Sequence, residues 1–288
     1  MIYLLLCIIS NAGIMVVFKI AGNMKLDTLR IIVINYFTAA ILGFIIGGLP
    51  ERSDFNAEWM PMAVTIGILF IVVFFLIALS TQRAGMAVTS VAAKMSVVIP
   101  ITFSLFYFNE PISALKITGI LLALTSVFMT TYNRDKTNKK RILVVLLPII
   151  IFFSAGFIDS LIKYTQEVHI ADRSTVMFSS ILFSISAIMG VIFSLFRKGF
   201  LKTEKLLQII LAGIILGIVN FFSLYGIIMA LESNVFDSSI VFGINNMGIV
   251  VLSVIIALIF FSEKLSNLNK AGIVLSILTI VFLSYLFV

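Results

Sequence analysis

Ten apolar stretches, each of about twenty residues, follow one another along the chain with short polar connections between them. They fall at 2–21, 28–47, 61–82, 87–107, 113–132, 143–165, 174–196, 206–230, 237–261 and 267–287. Twenty helical residues rise about 30 Å, the thickness of a bilayer's hydrocarbon core. A segment in lipid has no water to satisfy its backbone N–H and C=O groups, so it must close those hydrogen bonds internally as a helix. The expected fold class is an all-α polytopic membrane protein with ten transmembrane helices. Composition agrees: the chain is 61% hydrophobic and 11% charged, where a soluble domain carries about 25% charge. So few polar residues cannot clothe a water-facing surface.

Two segments of this series repeat. Residues 105–122 (LFYFNEPISALKITGILL) and 258–275 (LIFFSEKLSNLNKAGIVL) align without a gap at an offset of 153, and eight of eighteen positions are identical. Glu110/Glu263, Ser113/Ser266 and Gly119/Gly272 are among the identical pairs. The chain then divides into a five-helix repeat over 1–132, a basic linker over 133–141 and a second five-helix repeat over 142–288. Each half crosses the membrane an odd number of times, so the second must be inverted relative to the first. Two inverted repeats around a midplane site are the layout of secondary transporters.

Several function classes are excluded. The net charge of +7 does not point to nucleic acid, because the basic residues sit in short loops and form no contiguous stripe. One cysteine, Cys7, rules out an internal disulfide and a cysteine metal cluster; one histidine, His169, rules out a multi-histidine site. No metal, cofactor or catalytic residue is expected. No Walker A sequence and no room for a soluble domain are found. The apolar run at the N-terminus reads as the first span and not as a removed signal peptide. Fifteen Lys and Arg lie in the connections after odd-numbered spans and four in those after even-numbered spans. The positive-inside rule then places the odd connections in the cytoplasm and both termini outside a cell membrane.

The Glu that ends the fourth span of each half, followed nine residues later by Gly, resembles the drug/metabolite transporter superfamily, in particular its EamA-type ten-helix members. Here it reads Asn109-Glu110-Pro111 with Gly119, and Ser262-Glu263-Lys264 with Gly272. The first span of each half adds a small or polar cluster followed by Lys: Ser10-Asn11-Ala12 to Lys19, and Ser154-Ala155-Gly156 to Lys163. The Trp-Gly pair common in the first helix of that family is absent. The loop after span 2 is acidic, with Glu51, Asp54 and Glu58, where relatives carry basic residues and have internal termini. The resemblance implies a transporter, and its topology opposes the one drawn from charge.

Each of the marked residues admits a structural and a functional reading. Glu110 and Glu263 sit at helix corners, where a carboxylate accepts hydrogen bonds from the start of the following helix. Gly119 and Gly272 permit close helix approach. Lys94 stands seven residues into span 4; a charged lysine there costs at least ~2.5–3.5 kcal/mol, so it faces a polar cavity or a partner, or else snorkels to the headgroups. Asp159 in span 6 is its natural counter-charge, either as a structural partner, as a partner of Lys163 one turn away, or across a ligand. Asn245 and Asn246 interrupt span 9 between Gly243 and Gly248, and Pro100 weakens span 4. Paired weak helices point to a binding site between the halves. Asn11, Asn35, Asn220 and Tyr225 are further intraspan polar groups, each either helix–helix glue or a ligand contact. Phe and Met stripes in spans 3, 7 and 8 read as lipid-facing or packing positions.

The expectation is a transporter of a small polar metabolite, with an amino acid or related zwitterion favoured. Its site would be lined by spans 1, 3, 4, 6, 8 and 9, with Lys94, Asp159, Asn245, Asn246, Asn11 and Tyr225 touching substrate. Partners would be the bilayer, the solute, and protons or a counter-solute, in a monomer or homodimer. Efflux of lipophilic cations and flipping of a lipid-linked sugar are the rivals within transport. A membrane-embedded enzyme would need convergent nucleophiles that the chain lacks, and a structural scaffold leaves the intraspan charges unexplained.

Overall fold

The computed structural model describes residues 1–55, 58–107, 113–132, 139–169, 175–196, 205–233 and 238–286. Among these are twelve helices and no strand: α1 (Ile2–Asn23), α2 (Thr28–Gly47), the single turn α3 (Arg52–Phe55), α4 (Met60–Arg83), α5 (Met86–Met95), α6 (Val98–Tyr107), α7 (Ala114–Thr131), α8 (Lys139–His169), α9 (Thr175–Leu195), α10 (Leu206–Glu232), α11 (Ser238–Ile259) and α12 (Asn267–Leu286). Counting α5 and α6 as one interrupted span, nine helical segments are long and apolar enough to cross a bilayer. α12 supplies a tenth, shorter apolar stretch over Asn267–Leu283. Large apolar side chains such as Phe106, Phe128, Ile150 and Phe153 are exposed on the outer surface, which only lipid can solvate.

Local sequence explains where helices start. Asp27 caps α2, its carboxylate accepting from the amides of Leu29 (3.1 Å) and Arg30 (3.4 Å). Ser113 caps α7 by accepting from the Lys116 amide at 3.2 Å. Its repeat counterpart Ser266 does the same for α12, accepting from the Asn269 amide at 3.1 Å while Asn269 accepts from the Ser266 amide at 3.1 Å. The two identical serines of the repeat are therefore helix starts.

Gly119 and Gly272 meet across one helix pair. A side-chain carbon at Gly119, near the start of α7, would collide with Leu283 near the end of α12. One at Gly272, near the start of α12, would lie 2.5 Å from the Thr130 hydroxyl and 2.7 Å from its amide nitrogen near the end of α7. The two helices thus pack antiparallel. α2 and α9 do likewise: Gly43 meets Ser180, and Gly190 meets Val33. Repeat-related spans 2 and 7, and 5 and 10, are therefore antiparallel neighbours. A core of Phe18, Ile31, Ile32, Tyr36, Phe183, Ile209 and Leu216 joins α1, α2, α9 and α10. A second, around Met15, Met86, Met95, Val250 and Ile273, joins α1, α5, α11 and α12.

Candidate functional site

Span 4 is broken where the sequence weakens it. Proline at 100 has no N–H to return to the carbonyl of Ser96. That carbonyl is taken instead by the amide of Ile99 at 2.9 Å, a tighter turn, while the Ser96 hydroxyl donates to the Ala93 carbonyl at 2.6 Å. α5 ends at Met95 and α6 begins at Val98. Span 9 differs: α11 runs unbroken through Gly243, Asn245, Asn246 and Gly248. The pair of weakened helices expected from the sequence is one broken helix and one continuous one. Gly248 serves close packing, since a side chain there would strike Ile8 at 2.5 Å.

α8 closes on the break. A side-chain carbon at Gly156 would lie 2.8 Å from the Ser96 carbonyl oxygen and 2.5 Å from Ile99. This contact sets α8 against α5 and α6 and carries Asp159, one turn later, into the space beside the break. There the helices enclose a cavity of about 920 Å³. Lys94, Asp159, Asn11, Asn245 and Asn246 all line it. Lys94 does not reach out to the membrane face: its ammonium donates to the Asn11 side-chain oxygen Oδ1 at 3.5 Å. Lys94 and Asp159 line the same cavity, yet form no ion pair among those described, which are Lys19–Glu263 and Arg30–Asp27. The Asn245 side-chain oxygen is buried without a hydrogen-bond partner.

Tyr225 is a correction. It does not line the cavity; its ring stacks on Phe221 at 5.8 Å between centroids and abuts Phe222. Its neighbours Ser223 and Leu224 face the cavity instead, because successive helical residues are turned about 100° apart. Lys163, named on sequence only as the end of a motif and as a partner of Asp159, lies in α8, lines the cavity and donates to the Ser104 hydroxyl at 2.6 Å. Asn220, Ser223 and Ser179 add polar groups. The lining also draws on α9 and α12, spans 7 and 10, which the sequence reading left out. Phe70 and Phe74 of α4 and Phe178 and Phe183 of α9 face the cavity, so the aromatic stripes of spans 3 and 7 are not merely lipid-facing or packing positions.

Most of the lining residues share one end. On α1 they include Cys7 and Asn11, toward its start; on α8, Asp159 to Lys163, near its end; on α9 and α11, Phe178 to Phe183 and Phe242 to Asn246, near their starts. Those of α8, α9, α10 and α11 lie toward the even-numbered connections, while Ile14, Phe74 and Lys94 sit near mid-span. The opposite end is tied shut by Glu263. Its carboxylate takes the Lys19 ammonium at 2.6 Å and the amides of Met86 (2.8 Å) and Ala87 (3.3 Å) at the start of α5. Lys19 also donates to the Thr81 carbonyl at 3.4 Å. This corrects the sequence expectation: Glu263 caps not the helix that follows it but a helix of the other half. Gly85 makes room: its φ of +109 is a conformation that favours glycine, and a side chain there would meet the Glu263 carboxylate at 2.8 Å. Glu110, the repeat counterpart, lies outside the described residues.

With this geometry in place, comparison with known proteins is informative. Residues 1–132 match the model of the EamA-like transporter family. An uncharacterized protein of Haemophilus influenzae is 29% identical over 294 residues, covering 98% of this chain and 97% of that protein. A solved crystal structure of another protein superimposes with a TM-score of 0.65 at 14% identity, over 99% of this chain and 96% of that one. That likeness shows the fold alone. Over residues 1–132 the chain is similar to the EamA-like transporter family, the same family that its motifs resemble.

Proposed function

We propose that the chain is a secondary transporter that moves a small polar metabolite, an amino acid or a related zwitterion, across the membrane by alternating access. The observation that carries this reading is the pair Lys94 and Asp159. Two opposite charges face one cavity from spans 4 and 6 and do not close on each other. A structural ion pair in so apolar a setting would close to recover the cost of burying two charges. A pair held apart suits a ligand with a charge at each end. Efflux of a lipophilic cation would call for the carboxylate without the ammonium.

The antiparallel packing of α2 on α9 and of α7 on α12 supports the division into inverted halves at 1–132 and 142–288. In the conformation described, the Lys19–Glu263 tie closes the end of the cavity nearer the odd-numbered connections. Alternating access requires that tie to part while the halves rock about the site. Asp159 is the carboxylate among the described lining residues and so the group through which a proton would be carried; exchange against a counter-solute would leave flux indifferent to a pH gradient. The Lys/Arg bias supports termini outside, and a cytoplasm-dependent reporter fused after Val288 should then be silent.

The deciding experiment is flux in proteoliposomes at matched protein level. Lys94→Met and Asp159→Asn should each abolish transport while folded protein remains, and so should the double variant. Near-normal flux by the double variant, with unstable single variants, would reduce the two residues to a structural pair.

A further inference from the structure

The cavity has two chemically different walls. Asn11, Lys94, Asn245 and Asn246 come from α1, α5 and α11, which pack on one another, and Asp159 joins them from α8. Phe70, Phe74, Phe178, Leu182 and Phe183 come from α4 and α9, which pack together on another side. The second wall is preformed. Phe74 is wedged edge-on against Phe18 at 5.1 Å and tilted against Tyr36 at 5.5 Å. Phe183 rests on Tyr36 at 6.0 Å, and Phe178 meets Trp59 edge-on at 5.5 Å. The Tyr36 hydroxyl donates to the Phe70 carbonyl at 3.0 Å, which fixes the backing layer to α4.

Rings that merely face lipid need no second aromatic layer behind them, and a site for a wholly polar solute gains nothing from an apolar side. Water against such a wall is costly, and an apolar group that displaces it is favoured. A cavity of about 920 Å³ is also roomy for the smallest zwitterions, since pockets of roughly 300–1,000 Å³ hold drug-sized ligands.

We infer that the substrate carries a bulky apolar group opposite its charged head, in the class of zwitterions with a branched or aromatic side chain, and that Phe70, Phe74, Phe178 and Phe183 set that preference. The charged head rests on the reading proposed above; the apolar group rests on the second wall alone. The two can therefore fail separately.

The test uses the purified full chain, with glycine, serine, leucine and phenylalanine as probes, together with phenethylamine and 3-phenylpropionate, which keep the ring and lose one charge each. Ligand-induced thermal stabilisation and counterflow in proteoliposomes are the readouts. Leucine and phenylalanine should outperform glycine and serine by about ten-fold or more, the range in which a hydrophobic pocket discriminates. Phe70→Ala, and independently Phe178→Ala, should shrink that ratio several-fold, and an unchanged ratio in both overturns their part in the preference. Equal or better performance by glycine and serine overturns the inference. If phenethylamine or 3-phenylpropionate matches phenylalanine, the two-charge head is wrong and the apolar wall stands. No response to any of the six overturns both.

Discussion

Spans 4 and 9 fall opposite each other when the sequence is aligned at an offset of 153, and they differ in both backbone and chemistry. Span 4 is split at Ser96 and Val97, with Lys94 on one side of the gap and Pro100 on the other. Span 9 carries Met247 and Ser253 at those positions and is one helix from Ser238 to Ile259. The polar groups of span 9 are amides, which hydrogen-bond without bringing charge. The helix-capping serines are thus alike at Ser113 and Ser266, while of spans 4 and 9 only span 4 brings a charge to the cavity. The lesson is that the sequence likeness between aligned segments carries over to helix starts and not to the groups that face the cavity.

The sharpest way to break this contrast is to make span 4 like span 9 at the charged position. Lys94→Met installs the residue that span 9 carries, and flux in proteoliposomes should fall to background with monodisperse protein retained on size exclusion. Conversely, Ser253→Pro gives α11 the residue of Pro100. It removes the amide that serves the carbonyl of fully buried Ile249, at a cost of about 3 kcal/mol, and the yield of folded protein in the membrane should drop markedly.

Glu263→Gln tests the tie between halves. It strands the Lys19 ammonium and weakens the cap on α5; hydrogen bonds to charged groups contribute about 1.5–3 kcal/mol. A lower thermal midpoint is expected, with more accessibility to solvent-borne thiol reagents at a cysteine placed beside Lys19. An unchanged midpoint and an unchanged labelling rate would show the tie to be idle. Gly272→Leu should then impair folding more than Gly119→Leu, because the first meets the Thr130 backbone and the second only the flexible end of Leu283. Comparing membrane yields of the two variants decides this. The smallest effect is expected from Pro100→Ala, which lets span 4 regain a helical hydrogen bond and should slow flux only several-fold.

Much of the scaffold was legible because lipid leaves the backbone few choices: long apolar runs became helices within a few residues of where the sequence places them. Lys94 and Asp159 were legible for a related reason, since a charge inside a span is costly enough to need a purpose. The aromatic wall was not. Phenylalanine faces lipid at Phe106 and Phe128 and the cavity at Phe70 and Phe178, and its hydrophobicity is the same in both places. Glu263 escaped because its partners Lys19 and Met86 lie 244 and 177 residues away in the chain. Lys163 escaped because its partner, the Ser104 hydroxyl, lies 59 residues away in the chain. Tyr225 was misassigned because polarity alone does not tell which face of a helix a residue occupies.

The edge-on contact between Trp59 and Phe178 has a consequence for measurement. Trp59 is the chain's one tryptophan, and the ring it touches is part of the cavity wall. Indole emission is sensitive to the polarity and mobility of its immediate surroundings, so a solute that shifts Phe178 alters the native fluorescence of the whole protein at a single, assigned source. Occupancy can then be titrated by intensity and anisotropy in detergent or in vesicles, with no dye attached and no background from a second indole. Phe178→Ala serves as the control in which the optical signal is lost while the cavity's charged wall is left as it was.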